Sequence, residues 1–214
     1  EKGYTVYELS RRAEGAPGMN HIAADVTKEE TLAAAIQEIL KREDHIDVLI
    51  NNAQASASGV TIADHTTAQF DLAIYSGLYA AFYYMKACYP YLKETKGSVI
   101  NFASGAGLFG NFGQCAYAAA KEGIRGLTRV AATEWAADGI NANVVCPLAW
   151  TAQLENFEKA SPDEFKANVH TPPMGHFGDV EKEIGRVCVQ LASPDFKYMS
   201  GETLTLEGAL GQRP

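Results

Sequence analysis

No apolar run in this 214-residue chain approaches the roughly 18 to 20 residues that cross a bilayer. The opening Glu1-Lys2-Gly3-Tyr4 also lacks the basic-then-apolar pattern of a secretory leader. A soluble, unexported, cytoplasmic protein is expected. Cysteine is sparse: Cys88, Cys115, Cys146 and Cys188 lie far apart, with no CxxC pair and no His at ligand spacing. That pattern signals neither a zinc site nor a redox motif, and buried reduced thiols are expected. Positive charge is also short, with 18 Lys and Arg against 26 Asp and Glu, a net charge of -8. This disfavours nucleic acid and anionic membrane as partners, although a local basic patch, Arg11-Arg12, could still bind a phosphate. Finally, no glycine-rich phosphate loop precedes the first apolar segment, which starts at Thr5.

What is present is alternation. Short runs rich in β-branched residues occur at Thr5 to Leu9, His21 to Ala24, Ile46 to Ile50, Ser98 to Phe102, Asn143 to Cys146 and Thr203 to Leu206. They have the near-continuous apolar character of parallel strands buried on both faces. Between them, Glu29 to Arg42, Thr67 to Lys93, Gln114 to Ala137 and Val180 to Leu191 carry apolar residues at helical spacing. Strand alternating with helix predicts a single α/β domain with a parallel sheet over residues 1–214. Thr27 followed by Glu30 reads as a helix start, and Gly139 as the stop of the helix beginning near Gln114. The segment 151–178, with Pro162, Pro172 and Pro173, is the least regular and is expected to cover the ligand.

The chemistry concentrates near the middle. In Tyr117-Ala118-Ala119-Ala120-Lys121 a four-residue spacing puts phenol and ammonium on one helix face. A cation some 4 Å from the phenol at an effective dielectric near 20 is worth about 4 kcal/mol, enough to bring a tyrosinate within reach of neutral pH. The alternative is a solvated pair on a surface helix. Ser104 directly follows the strand Ser98 to Phe102, at the carboxyl end where parallel sheets hold ligands, so its hydroxyl could polarise the oxygen that Tyr117 protonates.

Taken in order, these pieces resemble the short-chain dehydrogenase/reductase family along nearly the whole chain. They are Asp25-Val26, Asn51-Asn52-Ala53, Ser104 with Tyr117 and Lys121, Asn143-Val144-Val145-Cys146-Pro147, and Ser200-Gly201-Glu202-Thr203. The resemblance implies a Rossmann-like doubly wound parallel sheet and an NAD(P)(H)-dependent oxidoreductase interconverting a small-molecule alcohol and carbonyl. It makes Tyr117 the general acid/base and Ser104 the orienting hydroxyl, while Lys121 lowers the tyrosine pKa and holds the nicotinamide ribose. Asp25 and Val26 would meet the adenine, and Asn51, Ala53 and Pro147 would line the cofactor cleft. Ser10 stands where an acidic residue would hold a ribose 2′-hydroxyl, and Arg11 and Arg12 follow it. A hydroxyl followed by arginines favours NADP(H) over NAD(H); the alternative is a solvated basic turn.

The resemblance also implies a homodimer or homotetramer built on the aromatic stretch Leu78 to Tyr84 and the helix of Ala116 to Ala120. A first strand, a glycine turn and most of a helix are expected ahead of Thr5, and without them Thr5 to Leu9 and Ile46 to Ile50 would each present an unpaired apolar edge. Three departures stand out: Gly77 where the family has an active-site Asn, Gln54 where it has Gly, and Leu148 where it has Gly. Thr151 falls one place before the family's usual carboxamide-contacting threonine. With these, a cofactor-binding homologue of little turnover is the second reading. Trp150, Leu154, Phe157, Phe165, Met174 and Phe177 could line an apolar pocket or pack the 151–178 segment onto the domain.

Overall fold

A computed structural model describes residues 3–211, so Glu1 and Lys2 quoted above lie outside the described residues. Its strands are β1 (Tyr7–Ser10), β2 (Asn20–Ala23), β3 (Val48–Asn51), β4 (Ser98–Phe102), β5 (Asn141–Pro147) and β6 (Thr203–Leu206). Every pairing among them is parallel, with β1 beside β2 and with β3, β4, β5 and β6 adjacent in that order. The α/β fold expected from the alternation is therefore present. The strands divide into a two-stranded and a four-stranded sheet, and β1 and β3 make no ladder with each other. Val6 beside β1 and Ile50 in β3 are about half exposed.

The helices that flank the sheets are α1 (Glu29–Arg42), α2 (Thr67–Ala73), α3 (Ala80–Thr95), α4 (Gly105–Phe109), α5 (Cys115–Glu134), α6 (Ala152–Ala160), α7 (Pro162–Asn168) and α8 (Arg186–Leu191). Helix α1 puts Glu29 and Glu30 in its first turn and Lys41 and Arg42 in its last, matching the helix dipole at both ends, and buries Leu32, Ala35 and Ile36. Those three pack with Met85, Cys88 and Leu92 of α3 and Val99 of β4 in the main core. Helix α5 buries Ala116, Ala120, Ile124, Thr128 and Ala131, a stripe at three- and four-residue spacing. Gly139, at φ +78°, closes the short turn that follows α5. No helix among the described residues is long and apolar enough to cross a membrane.

Three local expectations need correcting. Thr27 is not the helix cap; its hydroxyl and N–H both bond Asp25 Oδ1, at 2.8 and 3.0 Å, and α1 begins after Lys28 without a side-chain cap. The long helix expected from Thr67 to Lys93 is interrupted by a wide, π-helical turn at Ile74–Tyr79, and another occupies Val180–Gly185. The 151–178 segment is more regular than its prolines suggest. Thr151 caps α6 by accepting from Leu154 N, and Pro162 takes the first turn of α7, where no N–H is missed.

Candidate active site

Parallel pairing in register brings the carboxyl ends of β3, β4, β5 and β6 to one edge, with Asn51 opposite Asn101, Phe102 opposite Val145 and Pro147 opposite Leu206. Ser104 lies just past β4 in extended backbone, where it caps α4 by accepting from Ala106 N at 3.1 Å. Tyr117 and Lys121 project from the first two turns of α5. Lys121 is 3% exposed, and its Nζ donates to Phe102 O at 2.7 Å, the carbonyl two residues before Ser104. The same ammonium lies 5.6 Å from the centroid of the Tyr117 ring. Serine, tyrosine and lysine thus converge as the sequence led us to expect.

Their electrostatics differ from expectation in one respect. Burial is the largest influence on Tyr117 and raises its pKa; the Ser104 hydroxyl pulls it part of the way back. Lys121, with its ammonium over the ring, is not among the influences that set the tyrosine pKa here. Burial instead pulls Lys121 itself down to about 8, because an ammonium out of water is disfavoured. Cys146, fully buried at the end of β5, is an electrostatic neighbour of both groups.

A nicotinamide dinucleotide can be tested against these residues. Lys121 makes one hydrogen bond among the described residues, which leaves two N–H donors of a buried ammonium for a vicinal diol such as a ribose. At the far end, Asp25 is held charged in the turn after β2, chiefly by Thr27, with Arg11 close enough to lower its pKa further. Ser10 ends β1, and Arg12 reaches back to ion-pair with Glu8 while its Nε lies 3.4 Å from Ser10 Oγ. Arg11 and Arg12 are both exposed, so a 2′-phosphate could reach them, although it would share Arg12 with Glu8. Val26 packs against the main core, and Ala53 is exposed just past β3. The residues fit the two ends of the cofactor.

The Asn51 side chain is engaged within the domain. It is buried and donates to Asn101 Oδ1 at 2.7 Å, while Asn101 Nδ2 donates to Thr128 Oγ1 at 2.8 Å. The amide therefore ties β3 to β4 and α5, leaving only the backbone to face the cleft. Asn101 and Thr128 were not singled out beforehand; the available signal was an Asn inside the otherwise apolar Ser98-Val99-Ile100-Asn101-Phe102. Beyond Pro147, Leu148 pairs its N–H with Leu206 O and its C=O with Gly178 N, so the 151–178 segment leaves and rejoins the sheet at one place. Trp150, just before it, and Phe157, Phe165 and Phe177 within it pack on one another at centroid distances of 5.5 to 6.2 Å. A cleft lined by Leu148, Met174, Ile184 and Leu206 opens beside this segment.

Residues 3–209 match the profile of a family described as enoyl-(acyl carrier protein) reductase, one of the short-chain dehydrogenase/reductases. The chain is a short-chain dehydrogenase/reductase. It is 68% identical over 197 residues to a 12α-hydroxysteroid dehydrogenase from Clostridium sp., covering 90% of this chain and 76% of that protein. Against a 3-oxoacyl-(acyl-carrier-protein) reductase from Thermotoga maritima it is 30% identical over 205 residues, covering 94% and 81%. The solved structure of ElxO with NADP bound superposes with a TM-score of 0.87 at 26% identity, covering 98% of this chain and 90% of that one. This short-chain dehydrogenase/reductase is accordingly a pyridine-nucleotide oxidoreductase of carbonyl and alcohol groups.

Proposed function

We propose that this short-chain dehydrogenase/reductase is an NADP(H)-dependent hydroxysteroid dehydrogenase that interconverts a 12α-hydroxyl and the corresponding ketone. The 68% identity to the clostridial 12α-hydroxysteroid dehydrogenase carries the substrate assignment. The convergence of Ser104, Tyr117 and Lys121 supports the chemistry. Arg11 and Arg12 at the end of β1, and the NADP bound by the structural relative, support NADP(H) over NAD(H). The cleft beside Leu148, mainly apolar but with His176, Glu183 and Glu207 in its lining, suits a fused-ring hydrocarbon carrying polar groups.

In this reading a bound nicotinamide supplies the hydride acceptor for alcohol oxidation and the hydride donor for ketone reduction. Tyr117 moves the proton: it gives its phenolic hydrogen to the ketone oxygen in reduction and takes the hydroxyl hydrogen in oxidation. Its raised pKa keeps that hydrogen in place at neutral pH, as the reductive direction requires, whereas oxidation requires the phenolate, which alkaline pH favours. Ser104 orients the same substrate oxygen. Lys121 would hold the ribose with the donors that Phe102 O leaves over, and its nearby charge would favour the phenolate as that forms.

The outer face of the interrupted helix bears Phe70, Tyr75, Tyr79 and Phe82, each about 40% exposed, with Tyr75 and Tyr79 stacked at 4.9 Å. An exposed aromatic stripe of this kind fits burial against a second copy, as a homodimer or homotetramer. The decisive test of function is NADPH formation by the full-length protein from a 12α-hydroxysteroid, compared with isomers hydroxylated elsewhere on the ring system. Tyr117→Phe should lower kcat by about a hundredfold to ten-thousandfold with cofactor affinity retained. Undiminished kcat in Tyr117→Phe would overturn the acid-base assignment. Turnover of other alcohols only would overturn the steroid assignment.

A further inference from the structure

Gln54 and Gly77, separate departures in the sequence, meet in the structure. Gln54 Nε2 donates to Ala55 O at 2.8 Å and to Ala73 O at 3.0 Å. Both partners are carbonyls, so the amide can face only one way, and Oε1 is turned away from them. That oxygen is buried and accepts no hydrogen bond among the described residues. It lies against Gly77: a Cβ added there would overlap Oε1 and stand 2.8 Å from Cδ. While the Gln54 amide holds its two hydrogen bonds, a side chain at residue 77 has to displace it. If Gln54 were removed, a space of carboxamide size would open beside the helix.

The same contact braces the wide turn. Ala73 O sits at the mouth of the π-helical turn Ile74–Tyr79, and Ser76 adds a second stitch by accepting from Ala55 N at 2.9 Å and donating to Leu72 O at 2.6 Å. Residues 54–55 and the turn therefore move together. Behind the turn is α5. Fully buried Ala73 packs with Ala116 and Ala120, the neighbours in sequence of Tyr117 and Lys121, and the Leu78 side chain fills the space beside Gly123.

We propose that Gln54 and Gly77 form one positioning unit, in which the Gln54 carboxamide, entering from the β3 side, fills the space beside residue 77 and holds the wall against which the Tyr117 and Lys121 helix is registered. The proposal rests on Tyr117 and Lys121 being the acting pair. Gln54 is a positioning residue, since it acts through the turn.

The test compares four variants of the full-length protein: Gln54→Gly, Gly77→Ala, the double variant Gln54→Gly with Gly77→Ala, and Gln54→Gly with Gly77→Asn. Each single change should lower kcat about tenfold to a hundredfold, as sub-ångström to ångström misplacement of reacting groups does, with cofactor affinity unchanged. In the Gln54→Gly background Gly77→Ala should cost nothing further, because the clash has gone. The variant with Asn at 77 should recover kcat, since a carboxamide refills the space from the helix side.

Losses that multiply in the double variant, or single variants with unchanged kcat, overturn the proposal. Tyr117→Phe, run in parallel, separates this failure from failure of the catalytic assignment. If Gly77→Ala does not fold, Gln54→Glu serves. It turns both N–H donors into acceptors facing carbonyls, so kcat should fall at neutral pH and recover as acidification restores one donor. A pH profile identical to that of the unaltered protein would overturn the proposal.

Discussion

Lys121→Met should stabilise the protein free of cofactor at neutral pH while damaging catalysis, and the size of the effect follows from the burial of the ammonium. Lys121 is 3% exposed, and burial lowers its pKa from 10.5 to about 8. That difference corresponds to a folding cost of about 3 kcal/mol while the group stays charged. Met fills nearly the same volume without the charge, but Phe102 O loses its donor, which costs about 1 to 3 kcal/mol. A net gain of about 1 kcal/mol is expected near pH 7.

The sign reverses with pH. A lysine whose folded pKa is depressed binds fewer protons than in the unfolded chain between about 8 and 10.5, so the unaltered protein gains stability across that window. The cost is fully present below it and absent above it, where the variant keeps only the loss at Phe102 O. Urea unfolding of both proteins from about pH 7 to about pH 10.5 therefore gives a difference that swings by about 3 kcal/mol, with other titrating groups cancelling. A difference that stays flat over this range would refute the buried ammonium. A gain in stability accompanied by lost turnover would mark Lys121 as a residue kept for function.

Two further outcomes follow from the site. Replacing Arg11 and Arg12 together by Ala should weaken NADPH far more than NADH in fluorescence titrations, while Arg12→Ala alone has the smaller effect because Glu8 already engages that guanidinium; equal losses for both cofactors would show the pair to be solvated. Light scattering should report an oligomer at micromolar concentration that Tyr79→Glu and Phe82→Glu together disperse, and a monomeric unaltered protein would show that the aromatic stripe is covered by nothing.

What could be read from the sequence was whatever repeats or lies close along the chain. Apolar spacing was enough to place α1 and α5, whose buried faces recur every three or four residues, and the parallel pairing of β3 to β6, though not their order, followed from strand alternating with helix. Tyr117 and Lys121 lie one helical turn apart, and Ser104 just past a strand end, so their convergence needed no long-range information. The wide turn at Ile74–Tyr79 was hidden because one extra residue in a helical turn barely disturbs an apolar pattern that continues on both sides. The partnership of Glu8 with Arg12 and of Asn51 with Asn101 depends on side-chain direction, which composition does not reveal.

The Tyr117 pKa was misjudged for a related reason. Spacing gives proximity to a cation, but desolvation depends on everything else that packs around the ring, and here it is the largest influence. Gln54 and Gly77 show the same limit most clearly. Taken singly, each looks like damage to an active site: one adds bulk beside the cofactor cleft, the other removes an amide from a helix. Only their contact, 23 positions apart in sequence, reveals that the Gln54 amide fills the space beside residue 77. A substitution at either position is therefore to be judged in the presence of its partner, since the physical quantity conserved between them is one carboxamide in one space.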